Sequence, residues 1–375
     1  MIYPKIYLAI DNCFAYKRWT DPREWCEIIA SLGLKFAEAS ADTELDPLYM
    51  GPEYLADWEK AVIKAQRETG VKVVDLYSGH STYTTLGLTH TDKRVRERLI
   101  EQWFKPMITM AGKFGAGFGF FAHAFPHRVL QDAVLYGEAV ELLVRQLAEL
   151  NEYAASANCR FMAIEQMYSP HQYPWTIRQT GELLKNVSLK SRAAFYFTED
   201  VGHHRSTFQK PDTSKIGKQK DGLWFGSDRA FLYAERGDIA ALNEEIEKQS
   251  HLFSGPKDSD CYAWLSELGC LCPIIHLQQT DGNASSHLPF TETHNARGII
   301  DGPKLLRSLI SAYDGHLEGS FVPCKEIYLT LEIFAGTAAI THDLLSDLRE
   351  SISYWRRWIP EDGLYLDDLV GRLSR

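Results

Sequence analysis

No stretch of this 375-residue chain approaches the roughly 18 consecutive apolar residues that a membrane-spanning helix requires. The opening MIYPKIYLAIDNC reaches Asp11 too soon to contain the apolar core of a secretory signal, so the cytoplasm is the expected compartment. Cysteine is sparse and odd in number, seven in all, which argues against a complete disulfide framework. Cys261, Cys270 and Cys272 lack the C-x₂-C spacing of a thiolate zinc site and read as small buried hydrophobes. Positive charge is also short: 40 Lys and Arg against 50 Asp and Glu leave a net charge of −10. A nucleic-acid binder would carry a basic face, so a small polar substrate is the better match. The one lysine-rich run, Lys210 to Gly222, is broken by Pro, Gly and Asp and reads as a solvated loop. The glycines of GAGFGF (Gly115 to Phe120) miss the G-x-G-x-x-G register and precede a strand, which argues against a dinucleotide site.

What is present is an alternation. Apolar, β-rich runs such as KIYLAIDNC, VKVVDLYSG and AAFYFTED are each followed by an amphipathic helical run, eight times along the chain. Asp21 followed by Pro22 marks the start of the first helix, and Gly70 marks the end of the second. Eight strand–helix pairs imply parallel strands joined by right-handed crossovers, hence an α/β fold closed as a (β/α)₈ TIM barrel. Residues 1–375 are expected to form one domain, with elongated loops after strands six and seven. The first of these is an insertion at about residues 204–259; the second contains GNASSHLPFTETHNARG.

Barrel strands point alternate side chains inward, and loops at the C-terminal strand ends carry function. On this alternation Asp200 shares the inward face of strand six with Tyr196 and Thr198. Glu165 closes strand five, His276 and Gln278 face inward on strand seven, and Glu332 does so on strand eight. An isolated acid at a strand end is usually a rim salt bridge. Several converging on one opening repel one another unless a cation sits among them. Three carboxylates and an amide oxygen make a hard site that suits Mn²⁺ or Mg²⁺ better than Zn²⁺. Asp200 is then a metal ligand, with His203 just beyond it to reach the substrate. A divalent cation chelating a carbonyl and its neighbouring hydroxyl acidifies the intervening C–H and stabilises an enediolate. One carboxylate removes the proton, and a second returns it to give inversion or isomerisation.

These residues resemble the motifs of the xylose-isomerase-like TIM-barrel sugar isomerases and epimerases: Glu165, the D-x-x-H of Asp200 and His203, the H-x-Q of His276 and Gln278, and Glu332. The resemblance covers nearly the whole chain. It implies a metal-dependent isomerase or epimerase of a ketose, ketose phosphate or hydroxy-keto acid. Glu165, Asp200, Gln278 and Glu332 are the implied metal ligands, and Glu165 and Glu332 the implied acid/base pair. Gln278 at the third ligand position resembles the hydroxypyruvate-isomerase branch, whereas ketose 3-epimerases carry His there. Both branches usually have an Arg six or seven residues after that ligand; here those positions are Ala284 and Ser285, with Arg297 or His287 as substitutes. His203, His123, His276 and Arg297 are the expected substrate contacts. Glu38 is expected in a structural ion pair; Tyr77 and His80 with Trp19 and Phe14 could wall a sugar pocket, but aromatics of this kind are more often simple core. Homo-oligomerisation is expected, with neither nucleic acid nor membrane as partner. The alternative is a carbon–carbon lyase acting on oxidised sugars with the same metal site, an activity that often takes a small partner subunit.

Overall fold

The structure, a computed structural model, describes residues 2–78, 85–204, 209–210, 212–213, 228–315, 319 and 321–373. Eight parallel strands run in barrel order: β1 (Lys5–Asp11), β2 (Phe36–Ser40), β3 (Lys72–Tyr77), β4 (Gly117–Phe120), β5 (Met162–Glu165), β6 (Tyr196–Asp200), β7 (Ile274–Leu277) and β8 (Glu326–Leu331). The barrel closes because β1 pairs along Lys5 to Ile10 with β8 and, at Ile10 and Asp11, with β2. That stagger leaves the first residues of β1 with one free edge. A short antiparallel strand, β9 (Leu364–Tyr365), covers it by pairing with Lys5 and Ile6. The chain thus forms the TIM barrel its alternation predicts.

The surrounding helices are α1 (Pro22–Ser31), α2 (Pro52–Thr69), α3 (Lys105–Phe114), α4 (Ala133–Ser156), α5 (Ile177–Ser191), α6 (Cys261–Leu268), α7 (Gly302–Asp314) and α8 (Thr341–Arg356). Their ends follow local chemistry. Asp21 accepts from the Arg23 N–H at 2.8 Å while Glu24 accepts from the Asp21 N–H, a reciprocal cap worth about 1 kcal/mol. Gly70 closes α2 with φ 76°. The helix expected before β4 is interrupted: Lys93–Leu99 and α3 flank a wide turn at Ile100–Phe104. Pro106 supplies the reason, since it offers no N–H and its ring would crowd the carbonyl one turn back.

The alternation in the strands divides the core in two. Phe118, Phe120, Phe195 and Phe197 face outward and are buried among the helices. Inside, the lower half of the barrel is filled by Ala9, Val74, Phe161, Ala163, Ile274 and Tyr328, with Tyr7 stacked on Tyr328 at 4.9 Å and Phe36 edge-on to Tyr7 at 4.9 Å. Above this plug the inward side chains become polar.

One strand departs from simple alternation. Between β2 and β3 the register slips: Ala37 pairs with Val73 but Glu38 pairs with Asp75. The bulge leaves Val74 in the inner plug and turns Leu76 to the outer core, while Asp75 and Tyr77 face the barrel interior beside Glu38 and Glu165. Gly119 on the next strand makes room for them. A Cβ there would lie 2.7 Å from the Tyr77 ring and 2.8 Å from Asp75 Oδ2.

Residues 201–273 separate β6 from β7. Their described part includes the helices Asp228–Arg236 and Ile239–Lys248, which share a small cluster of Ala230, Leu242 and Ile246. Most of the lysine-rich run, and His80, fall outside the described residues. After β7 the chain folds back through a bridge between Gln279 and Leu288 before α7.

Candidate active site at the C-terminal mouth of the barrel

Glu165 and Asp200 are the last residues of β5 and β6; Gln278 and Glu332 follow directly after β7 and β8. The barrel brings all four together at its C-terminal mouth, each 5% exposed or less. Glu165, Asp200, His203 and Glu332 line one cavity together with Asp11, Tyr77, His287 and Phe334. Tyr77 donates its hydroxyl to Glu165 Oε2. His203 is held between the Gln166 carbonyl oxygen, 3.0 Å from Nδ1, and Asp200 Oδ2, 3.1 Å from Nε2. The Gln166 side chain also clamps Asp200 by its backbone: Oε1 accepts from the Asp200 N–H and Nε2 donates to its carbonyl, each at 2.9 Å.

Gln278 reaches the site in an orientation the sequence does not specify. Its Nε2 donates to both Asp200 oxygens at 2.8 Å and to Ser285 Oγ at 2.9 Å, and its Oε1 accepts from the His287 backbone N–H at 2.6 Å. Gly202, between Asp200 and His203, permits this approach; a Cβ there would lie 2.3 Å from the Gln278 amide carbon.

Three of the residues expected at the substrate sit elsewhere. His276 precedes Gln278 by two residues on β7, is fully buried and is outside the cavity lining. Its Nε2 is 2.8 Å from Glu38 Oε1, which makes Glu38 the ion-pair partner anticipated from sequence. Its Nδ1 points up, 3.5 Å from Glu165 Oε1 and 3.4 Å from Glu332 Oε2. His123 follows β4 with φ 73°, packs 4.7 Å from Phe121 and covers Gly87, outside the cavity lining. Arg297 is exposed beyond the short helix Glu292–Asn295 and is also outside that lining. His287 comes in instead, with Nδ1 3.5 Å from Glu332 Oε2. Three acids escaped the sequence reading: Asp11 and Asp42, which line the cavity, and Asp75 beside Glu38. Asp11 ends β1 and could have been found by the same strand-end test. Asp75, two residues before Tyr77 on β3, shares its face and could have been found from it.

The electrostatics of the mouth are crowded. Burial, with Glu38 and Glu332 close by, pushes the Asp11 carboxyl well above its ordinary value. Burial and Glu38 do the same to Asp75. Burial also pushes Glu332 upward, but His276, His287 and His203 outweigh it and hold the carboxyl at about 2. Conversely, burial opposes protonation of His287, and Glu332 overcomes it to raise the imidazole to about 9.

A divalent cation fits these residues. His276 Nδ1, His287 Nδ1 and Glu332 Oε2 are buried and make no hydrogen bond. Glu165, Asp200 and His276 can each offer a ligand atom within 4.8 Å of one another, and so can Asp200, His287 and Glu332. Ligand atoms about 2.0–2.2 Å from a common ion lie about 3–4 Å apart, and the His276 and His287 Nδ1 atoms lie 3.4–3.5 Å from the carboxylate oxygens they face.

Comparison with known proteins places the geometry in context. Residues 26–224 match the family model described as xylose isomerase-like TIM barrel. A D-erythrulose 1-phosphate 3-epimerase of Brucella abortus (strain 2308) is 23% identical over 355 residues, covering 93% of this chain and 94% of that protein. A putative xylose isomerase from Rhodospirillum rubrum has a similar structure, with TM-score 0.66 and 18% identity, covering 94% of this chain and 98% of its own. The D-psicose 3-epimerase of Clostridium cellulolyticum H10, solved with D-tagatose, aligns with TM-score 0.53 and 13% identity over 94% of this chain and 98% of that one.

Proposed function

The chain belongs to the xylose isomerase-like TIM-barrel family, and from that premise we propose that it is a sugar isomerase of the epimerase type, acting on a ketose or ketose phosphate through a divalent cation, Mn²⁺ or Mg²⁺. The whole chain is read as one catalytic domain. The observation that carries this reading is that Glu165, Asp200 and Glu332 line one cavity and belong to two candidate ligand groups that share Asp200, each with a buried imidazole nitrogen that lacks a hydrogen bond. Glu165, Asp200 and Glu332 would hold the cation. When bound, it supplies Lewis-acid polarisation of a carbonyl and the hydroxyl beside it.

The remaining work falls to the chain's own groups. Glu165 and Glu332 enter the mouth from strands that are not neighbours in the barrel. This arrangement supports one carboxylate taking the proton beside the carbonyl and the other returning one from a different side. Tyr77 fixes Glu165 through Oε2, and Oε1 lies between His276 and His203, 3.5 and 3.8 Å from their Nδ1 atoms. His203, anchored on Gln166, offers a polar contact beside Asp200. The epimerase name of the Brucella relative supports stereochemical inversion at a carbon next to a ketone.

The test is proton NMR in D₂O, recorded after the Mn²⁺-loaded protein has been removed, across tetruloses, pentuloses, hexuloses and their phosphates. Deuterium is expected beside the carbonyl of at least one, with the epimer appearing. Glu332→Gln should lower that exchange by about 10²–10⁴-fold while the fold persists. Unchanged turnover in this variant would remove Glu332 from the acid/base pair.

A further inference from the structure

Sequence and resemblance put the Gln278 amide oxygen on the cation, but the hydrogen bonds around Gln278 lead elsewhere. Its oxygen is engaged by the His287 backbone N–H at 2.6 Å. Turning the amide over would bring its NH₂ group against that N–H, donor against donor. Its nitrogen meanwhile serves Asp200 and Ser285.

Ser285 Oγ in turn lies 3.1 Å from His287 Nε2. Gln278, Ser285 and His287 therefore form a closed polar ring in the loop after β7. The effect of that ring is to aim His287. One imidazole nitrogen is engaged by Ser285, and the other, Nδ1, is buried, lacks a hydrogen bond and faces Glu332 Oε2 at 3.5 Å. A ligating histidine usually has its second nitrogen engaged in this manner, which fixes its tautomer and orientation.

Two further features fit a built site. His287 has φ 46°, a left-handed conformation that non-glycine residues adopt at a cost and that clusters at ligand sites. Phe334 stands edge-on to its ring at 4.6 Å and limits its rotation. His287, Asp200 and Glu332 can each present an atom within 4.8 Å of the others.

We propose that His287, through Nδ1, is the cation ligand on the β7 side of the mouth, and that Gln278 is a positioning residue that holds the His287 loop. This rests on the reading above that the mouth binds a divalent cation. The ligand set then mixes imidazole with carboxylates, which favours Mn²⁺ or Co²⁺ over Mg²⁺.

The experiment uses the full-length protein, stripped of metal and titrated with Mn²⁺. Free Mn²⁺ is followed by its EPR signal, and histidine nitrogens on the bound ion by electron spin-echo modulation with ¹⁴N- and ¹⁵N-histidine labelling. Wild type should bind one Mn²⁺ with a histidine nitrogen coupling. His287→Asn, chosen because Asn tolerates a left-handed backbone, should lose that coupling and bind Mn²⁺ at least about 10-fold more weakly. His276→Gln should retain the coupling, and Gln278→Ala should weaken binding without abolishing it.

A coupling that survives His287→Asn, or that vanishes only in His276→Gln, overturns the proposal and leaves the metal-dependent reading standing. A wild-type ion surrounded by oxygen alone does the same, and this labelled spectrum decides even if His287→Asn does not fold. A wild type that binds no Mn²⁺ overturns both.

Discussion

Gly119→Ala probes the point where the fold reaches into the site. The added methyl would sit 2.7 Å from Tyr77 Cδ2 and 2.8 Å from Asp75 Oδ2, whereas ordinary contact begins near 3.4 Å. Tyr77 must therefore retreat by several tenths of an ångström, and its hydroxyl holds Glu165. Overpacking of this kind costs about 1–3 kcal/mol. Lower entropy of the unfolded chain offsets about 0.4–1 kcal/mol of that. At about 2.1 cal/mol/K per residue the unfolding entropy of this chain is roughly 0.8 kcal/mol/K, so the Tm should fall by no more than about 3 °C. Activity should fall much further, because a misplacement on the order of 1 Å in a catalytic group costs about 10²-fold. The assay is a thermal melt beside turnover on the substrate identified by deuterium exchange. Combining Gly119→Ala with Tyr77→Leu, which removes the obstructing ring, should give a coupling energy above about 0.5 kcal/mol. Unchanged turnover with additive stabilities would refute both the contact and the bulge that creates it.

Gln166→Ala strips two buried backbone partners from Asp200, at about 1–3 kcal/mol each, so lower Tm and weaker Mn²⁺ binding should appear together; unchanged Mn²⁺ affinity would refute the clamp. Chelation with EDTA should lower the Tm by about 3 °C if the cation is present at 100 times its Kd, a stabilisation of about 2.7 kcal/mol, and Mn²⁺ should restore it; a melt indifferent to both would refute the cation. Burial pushes His251 below its ordinary pKa while its Nε2 donates to the Leu130 carbonyl oxygen at 2.8 Å. Its folded state then binds fewer protons than its unfolded state, so its contribution is present above about pH 6.5 and is lost as pH falls toward the lower folded value. His251→Gln should remove that part of the acid-side slope; parallel Tm-against-pH profiles for variant and wild type would refute the shift.

Much of this protein can be read along the chain, since strand periodicity and strand-end polarity are local properties. The eight alternations imply a barrel without reference to any contact. Glu165, Asp200, Gln278 and Glu332 are found by asking which inward position ends each strand. Glu38 is legible as an ion-pair partner because an inward acid deep in a strand has nowhere else to discharge.

The rest depends on register, loop closure and hydrogen-bond direction, which have no local signature. Val74 and Asp75, consecutive in sequence, both face the interior because the β2–β3 ladder slips by one residue, and Gly119 leaves space on a different strand. His276 is drawn into the barrel interior by Glu38, which lies on a strand distant in sequence. Arg297 and His287 are both in the loop after β7, yet the bridge from Gln279 to Leu288 carries His287 inward and leaves Arg297 at the surface. The chain alone determined the barrel and which acids end its strands, because alternation and strand ends repeat every two residues. Only the tertiary structure decided which imidazoles meet those acids and which way the Gln278 amide points, because both are settled by neighbours distant in sequence.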